Sequence, residues 1–350
     1  MNSGVRFSSK RFFMTLMLCA CSVILLQNYN ISEDSSFLFQ LCCVFAGLAV
    51  CFLFFLPAVY LKKRYDSDVF TLAKNSPKRI RLILAAVYTV YFLYAALFFL
   101  IPYTEMFTKK YYTEASPCLI SLLLIACCVY AAFKGPNVIT RFGLFLFALA
   151  MITNLLLFGG SISSLDFSNG FSFKGDFGSF LQNTVYFITP CFTAVIFACL
   201  SSDTRQFKLR HTVFALGLTG VKYTLVLFFI SYAVGEYALR QEYRTFVLSR
   251  VAHFGAYAGI ESFYMALSTM SVFMIISLLL CCMCRAVGKR GSIKAISIFS
   301  GVIFLIHLIS ANQNSVKELL TQPVTLIIFS LLTAAVIPLL FFRRGGKKNA

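Results

Sequence analysis

Ten stretches of mostly apolar residues recur along this chain, and nothing else constrains its fold as tightly. A helix of about 20 apolar residues is long enough to cross a bilayer core. The stretches are 10–27, 36–60, 80–101, 117–134, 139–159, 183–200, 212–234, 261–284, 293–311 and 323–342. Of all residues 59% are hydrophobic and only 13% are charged. Soluble domains carry roughly 25% charged residues. The chain therefore reads as an all-α polytopic membrane protein with ten transmembrane helices.

The loops show sidedness. One alternating set holds twenty-three basic residues, among them Lys10, Lys62, Lys134, Arg210, Arg285 and the terminal RRGGKK run. The opposite set holds seven, and Lys222 lies inside a stretch. Basic loops stay on the cytoplasmic side, so both termini are expected there. Acids sort the other way: only Asp66, Asp68 and Asp203 fall on the basic side. This sorting accounts for the net charge of +18 without nucleic acid as a partner. The basic face meets the lipid bilayer, where each Lys or Arg near anionic lipid is worth ~1 kcal/mol. Residues 66–78, with Phe70, Leu72 and Ala73, are expected to form a short interfacial helix. The Gly-, Ser- and Phe-rich segment 159–180 is expected to cover an outer vestibule in part.

Enzyme chemistry has no foothold. His211, His253 and His307 are scattered without a carboxylate beside them, and no GxxxxGK phosphate loop is present. No cofactor is expected. The thirteen cysteines lie mostly inside apolar runs, where cysteine acts as a small hydrophobe, so no metal is expected either.

The sixth stretch contains YFITPCFTAVIFAC (Tyr186–Cys199), with Thr189-Pro190 inside it. Proline has no N–H to donate and its ring clashes with the preceding turn, so the helix should bend or break there. In lipid, a carbonyl freed this way has to be satisfied by protein, water or ligand. Ten spans with a broken sixth predict a LeuT-type pair of inverted five-helix repeats, 1–160 and 161–350. In such folds the first span is broken as well, and the breaks flank a mid-membrane binding site. Cys21 and Ser22, in the small, polar centre of the first stretch, are the residues to expect there, although small residues also serve helix packing.

Four further side chains are candidates for the same site. Tyr91 belongs to a stripe with Tyr88 and Tyr94; such stripes serve packing, and Tyr91 is also deep enough to offer a hydroxyl to a cavity. Lys222 near the centre of the seventh stretch is costly in lipid. It can contact a ligand carboxylate, replace a coupling cation or lock neighbouring helices. Glu261 opens the eighth stretch, where it can meet a ligand ammonium or a partner subunit, or simply complement the helix dipole. Glu105 has the same two readings.

Several stretches resemble the spore germination permease family, the B-type subunits of spore germinant receptors within the amino acid–polyamine–organocation transporters. They are Val5–Gln27 (VRFSSKRFFMTLMLCACSVILLQ), Phe54–Tyr65 (FFLPAVYLKKRY), Ile139–Leu149 (ITRFGLFLFAL) and Phe246–Ser277, where Glu261 and Ser277 match an acid and a serine of the family's eighth span. Two features depart from the pattern. Gly259 and Ile260 precede Glu261 where the family often has a basic residue, and Cys and Ser replace the glycine of the first-span break. The resemblance implies a sensor of a small nutrient, with an amino acid as the leading class. It also implies an A-type membrane partner, a C-type lipoprotein partner and residence in the spore inner membrane. The rival readings are an amino-acid permease coupled to H⁺ or Na⁺ and a structural subunit with a vestigial pocket.

Overall fold

This computed structural model describes residues 7–26, 36–74, 76–167, 175–205, 209–239, 241–254 and 257–340. Among them, ten helices are long and apolar enough to cross a membrane: Ser9–Leu26, Phe37–Tyr65, Lys78–Lys110, Pro117–Lys134, Pro136–Ser164, Phe177–Asp203, Leu209–Val234, Glu261–Ala286, Ile293–Asn312 and Pro323–Leu340. The protein is a multi-pass membrane protein. The second and third spans run past their apolar stretches into basic ends, Lys62–Arg64 and Lys109–Lys110, because cations are favourable in the last turn of a helix. Proline opens the fourth, fifth and tenth spans, at the position where its missing N–H costs nothing.

The spans sort into a centre and a rim. The first, sixth and eighth are each 83% buried, whereas the fourth, fifth, ninth and tenth are 28–33% buried and present most of their surface to lipid. The third span packs on the eighth, and the second on the sixth and seventh. The first lies against the fifth, seventh and eighth.

Of the two expected breaks, the one in the first span needs correction. The first span is one continuous helix from Ser9 to Leu26. Its centre has no proline or glycine to break it, and the Ser22 hydroxyl donates back to Leu18 O at 2.7 Å, inside its own helix. The sixth span is interrupted, but only by a single 3₁₀ turn, Thr189–Cys191, between Phe177–Ile188 and Phe192–Leu200.

The loop after the second span holds the expected short helix, Val69–Ala73, packed against the protein. Val69 and Ala73 are buried, Phe70 packs edge-on against Tyr88 at 5.0 Å, and Asp68 caps the helix through Thr71 N at 2.6 Å. Short helices also connect later spans. Arg244–Val251, between the seventh and eighth, has Arg244 through Ser249 all buried. Asn314–Thr321, between the ninth and tenth, is tied to the third span by a Lys317–Glu105 ion pair. That pair gives Glu105 a structural partner. The RRGGKK run and residues 168–174 of the 159–180 segment lie outside the described residues.

Candidate functional site

The site is built on the Thr189–Cys191 turn, all three residues of which are buried. Pro190 cannot donate to Tyr186 O, as an ordinary helical residue would. The Thr189 hydroxyl takes that role, donating to Tyr186 O at 2.6 Å. Two residues past the turn, Thr193 Oγ1 donates to Pro190 O at 2.6 Å. From the second span, Cys51 Sγ reaches Ile188 O at 3.2 Å and Phe187 O at 3.7 Å. The acceptors loosened by the proline are thus paired within the protein, where the sequence predicted open main-chain groups.

The neighbouring spans supply the walls. Tyr91 OH and Ser330 Oγ are 2.9 Å apart, and Cys191 lies beside the same serine. Tyr91 therefore reaches the turn through the tenth span. Its stripe-mates bond the same span: Tyr88 OH donates to Thr333 O at 2.6 Å and Tyr94 OH to Gln322 O at 2.9 Å.

On the other flank, Tyr223 of the seventh span packs 5.9 Å from the Phe187 ring and donates to Ala20 O of the first span at 2.7 Å. Cys21 Sγ stands 3.8 Å from Thr219 Oγ1, and Lys222 lies beside Cys21. Lys222 is half-buried. Among the described residues no carboxylate pairs with it.

Tyr91 is thus brought to the Thr189–Pro190 turn through Ser330, while Cys21 and Lys222 lie together where the first and seventh spans meet. Ser22 is occupied within its own helix. Glu261 is apart from them, at the first residue of the eighth span. Its Oε2 is buried without a hydrogen-bond partner. One turn further on, Tyr264 OH donates to Leu25 O at 2.6 Å, and Thr245 Oγ1 donates to Ile24 O at 3.0 Å. The last carbonyls of a helix lack intrahelical donors, and these two hydroxyls supply them to the first span.

Each end of the central bundle is tied by contacts between distant elements. At the Glu261 end, the buried helix Arg244–Val251 sits over the end of the first span. At the basic end, buried Arg285 contacts the carboxylates of Asp68 and Asp203 and the hydroxyl of Ser202. Arg290 adds a 3.4 Å pair to Asp203. Lys62 pairs with Asp66 at 2.6 Å and donates to Thr204 O at 3.4 Å. The strand Phe7–Ser8 pairs in parallel with Thr204–Arg205. All three acids of the basic side therefore sit in ion pairs.

A family model for spore germination proteins matches residues 6–316. The chain belongs to the spore germination protein family. Solved structures share its fold. A substrate-bound, outward-open Na⁺-coupled sialic acid symporter has a TM-score of 0.61 at 12% identity, covering 95% of this chain and 80% of that one. MhsT in complex with L-phenylalanine has a TM-score of 0.59 at 14% identity, covering 96% of this chain and 89% of that one. These likenesses establish a LeuT-type transporter fold. No curated protein matches the chain at a significant level. Family and fold together are those of a transporter or receptor.

Sequence reasoning missed Cys51, Ser330, Thr245 and Arg285. Cys51 and Ser330 look like ordinary small residues of apolar helices, and only the packing of distant spans gives them partners. Arg285 had a signal: Asp68 and Asp203, acids on a side otherwise basic, required a cation.

Proposed function

We propose that this protein is the B-type subunit of a spore germinant receptor. It resides in the spore inner membrane with the basic end and both termini in the cytoplasm. It takes a small nutrient, an amino acid first among the candidates, at the Thr189–Pro190 turn between the first, third, sixth and eighth spans. The observation that carries this reading is the family match over residues 6–316 in a chain folded as a transporter. One similar structure holds L-phenylalanine and the other is a sialic acid symporter; both ligands carry a carboxylate. Lys222, lacking a carboxylate partner beside the first span, is suited to meet one.

In the conformation described, the acceptors at the turn already have partners. Binding therefore requires an opening that frees them. A ligand shifts such an equilibrium only by its differential affinity for the two states, and here the open state alone offers it the turn. The shift then passes to an A-type membrane subunit and a C-type lipoprotein. Spores lacking the gene are expected to lose the response to at least one nutrient, and Thr189→Phe, present at normal levels, to reproduce that loss. Unchanged germination on every nutrient tested would overturn the proposal.

Lys222 also motivates a second reading, an amino-acid permease coupled to H⁺ or Na⁺. Concentrative uptake of amino acids by the purified protein in liposomes would favour it over the sensor.

A further inference from the structure

We propose that a cleft between the first, fifth and seventh spans binds an anionic phospholipid, with its phosphate at Lys10 and Arg210 and an acyl chain along the apolar walls. The cleft measures about 600 Å³, within the range of roughly 300–1,000 Å³ of ligand sites. Its walls are Phe13, Met14 and Met17 of the first span, Phe147 of the fifth, and Phe214 and Leu218 of the seventh. Phe214 is 65% exposed, so the cleft opens sideways to lipid.

Lys10 and Arg210 line the same cleft. Both are exposed, and no carboxylate among the described residues pairs with either. Each lies in the first turn of its helix, and neither helix has an acid there. The helix dipole makes that a poor place for a cation, and an anion at the mouth offsets both. Basic recesses between spans on the cytoplasmic side suit acidic headgroups. A free anion would use the mouth alone; the apolar walls beneath it select a headgroup with a chain attached. The site draws on the proposed topology only for its leaflet, and it stands whether the protein senses or transports.

The chain contains no Trp, so Phe214→Trp places a single fluorescent reporter in the cleft. Leu155→Trp, at a position 69% exposed on the fifth span, places a control on the open lipid face. Each is reconstituted into phosphatidylcholine vesicles containing either brominated phosphatidylglycerol or brominated phosphatidylcholine. Two basic residues predict that phosphatidylglycerol quenches the Phe214→Trp reporter at about thirtyfold lower mole fraction. The control is expected to respond equally to the two lipids. Adding Lys10→Gln and Arg210→Gln should erase the preference at Phe214→Trp while the Leu155→Trp reporter stays quenched, which shows that the variant is inserted. Equal quenching at Phe214→Trp, or a preference that survives the double substitution, would overturn the proposal. So would displacement by inorganic phosphate at matching headgroup concentration. Failure of either lipid to reach the reporter would mean that protein fills the cleft, and would also overturn it. Germination is not read in this experiment, so its outcome is separate from the fate of the receptor reading.

Discussion

At the scale of single residues, Lys222 is the most telling. A lysine at the centre of a spanning helix costs about 2.5–3.5 kcal/mol on insertion scales, and no carboxylate among the described residues offsets it. Lys222→Met is therefore expected to raise the thermal unfolding midpoint in detergent while abolishing the nutrient response of spores. A lower midpoint with a normal response would make Lys222 a structural lock instead. Gly47 makes the opposite kind of statement. A Cβ there would meet Phe187 Cβ at 2.6 Å and Phe187 C at 2.8 Å. Backbone cannot step aside as a side-chain tip can. Gly47→Ala is expected to destabilise by about 1–3 kcal/mol through overpacking. At Gly217 an added Cβ meets nothing within 4 Å, so Gly217→Ala should be neutral or stabilise by up to ~1 kcal/mol. Chemical unfolding of the two variants side by side checks both signs.

At the scale of elements, the sixth span shows what was legible and what was not. Pro190 announces an interruption because its chemistry is local. The repair of that interruption is also partly local, through Thr189 and Thr193, but its other half comes from Cys51, more than a hundred residues away in sequence. The tyrosine stripe behaves the same way. Its period shows a helix face, and nothing in the third span names the tenth as its partner. The start of the sixth span adds a pH dependence. Asp176 caps it, and hydrogen bonds from the Ser179 hydroxyl, and then from its N–H, hold the Asp176 carboxyl below the usual carboxylate range. A carboxyl whose pKa is lowered by folding stabilises at neutral pH, and that contribution is lost as the pH falls through the lowered value. The protection factors of the amides at residues 178–180 are therefore expected to fall only on strong acidification. Asp176→Asn, which keeps an accepting oxygen, should flatten that response.

At the scale of the whole molecule, ten spans were readable because hydropathy and loop charge are properties of the chain itself. The ties at its two ends were not, because they depend on which loops meet. Arg285 is the clearest case, joining the loop after the second span to the end of the sixth. Asp68→Asn leaves that buried guanidinium with Asp203 as its remaining carboxylate. Breaking a buried pair from one side costs about 3–5 kcal/mol, so the variant should unfold at markedly lower temperature, and Asp68→Glu should lose less. A Tm equal to that of the parent protein would show that the cluster adds no stability. The unbroken first span has a mechanical meaning as well. Its helix follows directly on the strand Phe7–Ser8, which is clasped to Thr204–Arg205. Its far end hangs from the hydroxyls of Thr245 and Tyr264. Such a rod has no internal joint to absorb a displacement. A push delivered two-thirds of the way along it, where Tyr223 grips Ala20, is expected to be carried to both of its ends together.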